Sequence, residues 1–290
     1  MKKLSVVLAT YNEENNIKQC IDSVKHITDE IIIYDESSTD KTRKIAKKNG
    51  AKVFKVKHAD IFHKTKQKAL QKAKGDWILQ LDADERVSPQ LAEEISRVIN
   101  STNQELLNYT INNSHKKELF ARHLALLEKR EGKYGIDKAL VAAFIIPRRN
   151  YFLGKPLIHA GVYPDGVIRL VKRGYAKFPA KSVHEQIKID GQVRWLENDL
   201  EHHDSPTFER YLTRSNRYTT LTSQEFQKSK VPLTYFHLFH YSFTKPLFVF
   251  LNLYIRHKGA LDGFRGFVWS LFSALHFPLA YFKYWQTNVR

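Results

Sequence analysis

A chain of 290 residues, 42% hydrophobic and 27% charged, can bury a large core, which excludes wholesale disorder. Its 47 Lys and Arg against 30 Asp and Glu give a formal charge of +17, suited to phosphorylated substrates, anionic lipid headgroups or nucleic acid. The lone cysteine, Cys20, excludes an intrachain disulfide and a cysteine-rich metal site, and suits a reducing compartment.

The first apolar run, residues 4–9, follows Lys2-Lys3 and is interrupted by Asn12-Glu13-Glu14. It is too short for the apolar region of a secretion leader and reads as a first strand. With no secretory route evident, the N-x-S/T sites at Asn100, Asn108 and Asn112 are expected to carry no meaning. Further strands are expected at 30–34, 51–56 and 77–81. Helices fit between them: 13–25 with Asn12 as N-cap, 39–49 stopped by Gly50, and 64–74 stopped by Gly75. Another starts at Ser88-Pro89, a cap residue followed by proline at the first helical position.

Such alternation predicts right-handed βαβ crossovers and an α/β fold with a mostly parallel sheet. Ligands then bind beyond the carboxyl ends of the strands, where the loops 10–13, 35–40 and 82–85 all emerge. The last of these is the most telling. The run Trp77-Ile78-Leu79-Gln80-Leu81 reads as a buried strand and ends in Asp82, Asp84 and Glu85. Burying three carboxylates without a partner is costly, so they are expected at the strand end, facing a cation. Hard divalent ions take a few carboxylate oxygens and leave positions for phosphate oxygens, which points to metal-assisted chemistry on a nucleotide. The alternative is that Asp82 and Asp84 merely open a polar loop.

Residues 101–137 are polar and mixed in charge, an insertion expected to be partly helical around 118–129. A strand is expected at 139–147, a loop at 161–166, a strand at 167–171 and short β segments to about 201. After Ser205-Pro206 the pattern is helical, with Pro232 and Pro246 as breaks. From 41 to 74 the chain carries 13 Lys and Arg against one acid, Asp60. These lysines read as solvated helix faces, with Lys66 or Lys68 as candidates to approach a diphosphate. A nucleic-acid face is disfavoured, because interleaved aromatics are lacking.

The last part of the chain differs. Residues 235–255 and 266–285 are crowded with Phe, Tyr, Trp and Leu, punctuated by Lys245, Arg256, His257, Lys258 and Arg265. A spanning helix needs about 20 apolar residues. Lys245-Pro246 breaks the first segment, and the second, 267–282, falls short. Amphipathic helices lying in the interface of an anionic membrane are expected, against the alternative of helices that only cover the catalytic domain or form a dimer contact.

Several runs resemble family 2 glycosyltransferases with the GT-A fold. They are Ser5-Val6-Val7-Leu8-Ala9-Thr10-Tyr11-Asn12-Glu13-Glu14, Tyr34-Asp35-Glu36-Ser37-Ser38-Thr39-Asp40 and Leu81-Asp82-Ala83-Asp84-Glu85. Tyr163-Pro164-Asp165-Gly166-Val167-Ile168-Arg169-Leu170, Val183-His184-Glu185 and Gly259-Ala260-Leu261-Asp262-Gly263 are similar to the subgroup containing lipopolysaccharide core β-glucosyltransferases. The chain departs from the family pattern at Glu36, where a small residue is common.

The resemblance implies an inverting transfer from a nucleotide-sugar donor, usually UDP-linked, to a glycolipid or cell-envelope glycan. By that analogy Ala9, Thr10, Tyr11, Glu13 and Asp35 contact base and ribose, and Asp82 lies near the ribose. Asp84 holds Mg²⁺ or Mn²⁺ on the diphosphate, and Glu185 is the catalytic base. Tyr163, Asp165, Arg169 and His184 are the candidates on the acceptor side. Arg169, mid-strand among apolar neighbours, also reads as half of a buried ion pair, and His184 as a structural histidine. Gln192-Val193-Arg194-Trp195 is one residue short of the Q-x-x-R-W motif of processive synthases and is set aside as coincidence.

The expected organisation is a nucleotide-sugar-binding and catalytic domain over 1–204 and a membrane-associating helical region over 205–290, cytoplasmic and peripheral on the inner face of the cytoplasmic membrane. Two other readings compete. A nucleotidyltransferase normally carries a Gly-rich phosphate loop, which residues 9–14 lack. The other is a basic membrane- or nucleic-acid-binding protein without catalysis.

Overall fold

The computed structural model describes residues 3–136, 138–179 and 187–288. The chain forms two compact units, Met1–Arg148 with Pro164–His202 and Arg149–Tyr163 with His203–Arg290.

The first unit begins with β1 (Leu4–Thr10), α1 (Ile17–Val24), β2 (Glu30–Asp35), α2 (Thr42–Lys48), β3 (Lys52–Lys55), α3 (Phe62–Lys72) and β4 (Trp77–Leu81). β1 pairs in parallel with β2 on one side and β4 on the other, and β3 continues in parallel outside β2. Every residue of β1 and β4 is buried, so these strands are continuous apolar runs rather than alternating ones. The register Thr10↔Asp35 and Leu8↔Leu81 brings the three expected loops to one edge.

The first helix corrects the sequence reading. It starts at Ile17 rather than 13, because Asn12 takes a left-handed φ of 54° and turns its side chain to Thr39, whose N–H donates to Asn12 Oδ1 at 2.8 Å. α3, by contrast, starts earlier than expected, at Phe62, and ends at Lys72 with Ala73 as its cap, ahead of Gly75.

The unit continues through β5 (Glu85–Val87), α4 (Pro89–Asn100), α5 (Asn103–Leu107), α6 (Ser114–Glu131) and β6 (Val141–Phe152). Ser88 caps α4 as expected, its Oγ accepting from Leu91 N at 3.2 Å. The insertion is more helical than its polarity suggested: α5 carries a Thr102–Glu105 capping box and α6 begins at Ser114. After β7 (Lys155–Pro156) come β8 (Asp165–Lys172), β9 (Ala176–Lys177), β10 (Lys188–Ile189), β11 (Gln192–Trp195) and β12 (Leu200–Ser205).

β8 joins antiparallel to both β4 and β6, so the parallel sheet is extended by antiparallel strands. β11 runs parallel to β6, and β12 pairs antiparallel with β5 in the register Leu200↔Val87, His202↔Glu85. The main core cluster brings Leu4, Val6, Leu8 and Leu79 together with Ile17, Ile21, Leu91 and Ile95 of α1 and α4.

The last residues of β6 and β12 belong to the second unit, where β7 pairs back onto Tyr151 and Phe152. Its helices are α7 (Phe208–Lys228), α8 (Tyr235–Phe239), α9 (Lys245–Leu251) and α10 (Gly263–Asn288). Pro232 separates α7 from α8 as expected, but Pro246 does not interrupt the chain's helical course. Wide π turns at His240–Thr244 and Asn252–Arg256 flank α9, and Pro246 sits in its first turn, where its missing N–H costs least. Phe152, Leu157 and Val268 form this unit's small core, with Tyr211, Trp269 and Phe272 packed on it.

The run Gly259–Gly263 is structural. Asp262 Oδ2 accepts from the backbone N–H groups of His159 at 2.8 Å and Ile158 at 3.2 Å, pinning the 259–262 turn. A Cβ on Gly266 would fall 1.8 Å from the Gly259 carbonyl oxygen, so α10 reaches this turn only with glycine there. Among the described residues no helix is long and apolar enough to cross a membrane.

Candidate active site

The ends of β1 and β2 build the first part of the site. Asp35, fully buried, accepts from Thr10 Oγ1 at 3.0 Å, from Ser38 N at 2.9 Å and from Ser38 Oγ at 2.5 Å, with Arg43 Nε 3.3 Å away. Asn12 N donates to Ser38 Oγ at 2.9 Å, and Glu13 N donates to Thr42 Oγ1 at 2.7 Å. Asn12 and Ser37 both hold left-handed φ values, 54° and 60°. The backbone of a non-glycine residue rarely adopts that conformation unless the surroundings fix it, and ligand-binding loops are where it accumulates.

Ala9 and Thr10 are buried in the strand end, whereas Tyr11 stands 45% exposed. Its ring lies 5.2 Å from that of His58, giving the loop an open aromatic wall. Glu36, fully buried, bonds Thr65 Oγ1 and lies 2.7 Å from His58 Nδ1. The departure from a small residue at this position thus fastens the 58–65 segment to the loop after β2.

The end of β4 is a charge cluster. Asp82 is held from two sides, by Arg169 Nη2 at 2.5 Å and by Lys66 Nζ at 2.6 Å. Arg169 also reaches Glu85 at 2.7 Å and Gln80 Oε1 at 2.6 Å, and Arg148 lies 3.4 Å from Glu85. Burial pushes the Asp82 carboxyl up, but Arg169 and then Lys66 outweigh it and hold it well below the usual carboxylate value. Burial works against charge on Arg169 too, and Asp82 and Glu85 reverse that, raising its pKa. Arg169 is therefore half of a buried ion network, one of the two roles its sequence position suggested.

Asp84 is placed differently. Its Oδ2 lies 3.6 Å from His202 Nε2, which the β5–β12 register delivers beside the turn. Burial raises the Asp84 carboxyl, and the histidine more than offsets this, leaving it below its ordinary value. A carboxylate oxygen and an imidazole nitrogen are donors that a divalent ion accepts, and two protein ligands leave positions for phosphate oxygens. The residues present therefore fit a Mg²⁺- or Mn²⁺-type ion at Asp84 and His202. Asp82 and Glu85 instead have their charge compensated by guanidinium and ammonium groups.

On the proposed acceptor side, Asp165 opens β8 and accepts from Arg148 Nη2 at 2.6 Å. Tyr163 falls in the second unit. His184 and Glu185 lie outside the described residues. Sequence reasoning passed over Gln80, Arg148 and His202 altogether. The run Glu201-His202-His203-Asp204 was the available signal, four polar residues closing a β segment.

Residues 5–149, half of the chain, match the family model described as "Glycosyl transferase family 2". The chain belongs to this family; it is a glycosyltransferase with an α/β fold. The "Uncharacterized glycosyltransferase RP128" of Rickettsia prowazekii (strain Madrid E) is similar over 94% of this chain and 84% of its own length, at 28% identity. The "Lipopolysaccharide core biosynthesis glycosyltransferase LpsC" of Rhizobium meliloti (strain 1021) is 24% identical over 99% of this chain and 93% of its own. Among solved structures, the mannosyltransferase PcManGT from Pyrobaculum calidifontis, in complex with GDP-Man and Mn²⁺, superposes with a TM-score of 0.48. That pairing is 12% identical and covers 98% of this chain and 87% of the other.

Proposed function

We propose that this glycosyltransferase transfers one sugar, with inversion, from a UDP-linked donor to a glycolipid or cell-envelope glycan. The observation that carries the donor half is the division of labour in the Asp82–Glu85 turn. Asp82 and Glu85 are locked into ion pairs, while Asp84 meets a histidine. In this reading Asp84 and His202 hold the divalent ion, which neutralises the leaving diphosphate as a Lewis acid without proton transfer. Thr10, Asp35 and the aromatic wall of Tyr11 and His58 seat the nucleoside, with Ala9 and Glu13 shaping the same loop. Lys66, tied to Asp82, stands as a second cation beside the carboxylate turn.

The acceptor hydroxyl loses its proton as it attacks the anomeric carbon. Glu185 is assigned that general-base role on the family resemblance, with His184, Tyr163 and Asp165 on the acceptor side. Arg169 is reassigned from acceptor contact to positioning residue, because its guanidinium is occupied by Asp82, Glu85 and Gln80. The likeness to the lipopolysaccharide core enzyme of Rhizobium meliloti along the full chain supports an envelope glycan as acceptor class.

The second unit is read as attaching to an anionic membrane surface, at the inner face of the cytoplasmic membrane. Tyr235, Phe236 and Phe264 are 92%, 73% and 75% exposed, far more apolar ring surface than a soluble fold leaves uncovered without a use. Lys245, Arg256, Lys258 and Arg265 stand among these helices and supply the charge an anionic interface attracts. Incubating the protein with a panel of sugar nucleotides, with and without Mn²⁺, tests the donor assignment. Release of UDP from one UDP-sugar, dependent on metal, is expected; metal-independent release, or none from any UDP-sugar, contradicts it.

A further inference from the structure

The second unit contains a cavity of about 430 Å³ between α7, α9 and α10. Its size lies within the roughly 300–1,000 Å³ of small-molecule sites. Tyr211, Tyr218, Val249, Trp269, Phe272 and Phe277 supply its apolar wall. Asp204 and Arg214 are the charged pair of the lining. The Arg214 guanidinium lies 5.8 Å from the Tyr218 ring centroid.

The other polar groups are muted. Burial pushes the Tyr211 hydroxyl up to about 12, so it stays protonated, and Ser273 bonds it. Burial also lowers the His276 ring, and its Nε2 lies 3.0 Å from Thr222 Oγ1. Apolar cavities of this kind hold water poorly and take up hydrocarbon. Lys245, whose ammonium lies 5.2 Å from the ring centroid of the lining residue Phe277, adds a cation beside the cavity.

We propose that this cavity binds a single hydrocarbon chain of an amphiphile, with the polar head near Arg214. The proposal deepens the lipid-linked acceptor reading and rests on it only for the source of the chain. The walls are mostly aromatic and aliphatic, and the charged lining is the Asp204–Arg214 pair, the mixture that suits a chain with a headgroup. Bulk lipid attachment uses other residues, the outward rings of Tyr235, Phe236 and Phe264, which do not line the cavity.

The full-length protein is titrated with 11-dansylundecanoic acid below its micelle concentration, following energy transfer from tryptophan. Saturable one-to-one binding is expected, with transfer lost in Trp269→Phe while calorimetry still reports binding. Ser273→Phe fills the cavity and should weaken the probe about tenfold or more, by the usual worth of a pocket contact. Its thermal melt and UDP affinity should stay those of the parent, so failure of the cavity proposal is separate from failure of the donor reading. Displacement by dodecyl glucoside assigns the chain to a glycolipid; displacement by dodecyl phosphate alone assigns it to a phospholipid. Non-saturable binding, or unchanged affinity in a folded Ser273→Phe protein, overturns the proposal.

Discussion

His202 Nε2 lies 3.6 Å from Asp84 Oδ2, on a strand that joins the sheet far along the chain from the carboxylate turn. If these two groups hold the metal, their loss separates into two effects. Asp84→Asn removes the anionic ligand and is expected to lower transfer by about two to four orders of magnitude, the usual scale for such electrostatic contributions. His202→Ala leaves the carboxylate and should raise the Mn²⁺ concentration needed for half-maximal rate by about tenfold or more. Steady-state rates across a Mn²⁺ titration check both.

Arg169 serves the fold. It is buried and bonds Asp82, Glu85 and Gln80 together, so Arg169→Met takes the shared cation from the buried Glu85 and the half-buried Asp82. A loss of about 3–5 kcal/mol in urea unfolding is expected, the usual cost of breaking a buried pair from one side. Lys66→Met, which leaves Arg169 on Asp82, should cost less, about 1.5–3 kcal/mol.

The same network fixes an acid dependence. The folded Asp82 carboxyl titrates well below its unfolded value: burial raises it, but Arg169 and Lys66 outweigh burial. Its contribution to stability is therefore complete above the unfolded carboxylate pKa of about 4 and is lost as pH falls toward the folded value. The stability difference between parent and Asp82→Asn, from urea midpoints, should be constant above about pH 5 and shrink on acidification.

Much of this was readable from the amino acids. The buried strands β1 and β4 announced themselves as unbroken apolar runs, and Ser88-Pro89 announced α4, because those signals are local. Asn12 misled for a physical reason: the same side chain that caps a helix also caps the neighbouring 38–40 loop, and composition does not distinguish them. His202 was illegible because its role depends on the β5–β12 register, a pairing between segments remote in sequence. Arg148 follows an apolar run with no local mark of its role, which lies in reaching both Glu85 and Asp165.

Glu185 carries the base assignment, so chemistry and binding should part company there. Glu185→Gln is expected to cut transfer by about two to four orders of magnitude while UDP binding holds. Parallel rate and calorimetric measurements decide it.

The central claim is that Asp84 ties the nucleoside diphosphate to a divalent ion. Calorimetry of UDP binding with Mn²⁺ and with chelator, on parent and Asp84→Ala proteins, tests it most directly. Tight binding by the parent only with Mn²⁺ is expected, and weak, metal-indifferent binding by Asp84→Ala. Equal UDP affinity with and without metal in the parent, or a metal effect undiminished in Asp84→Ala, would contradict it.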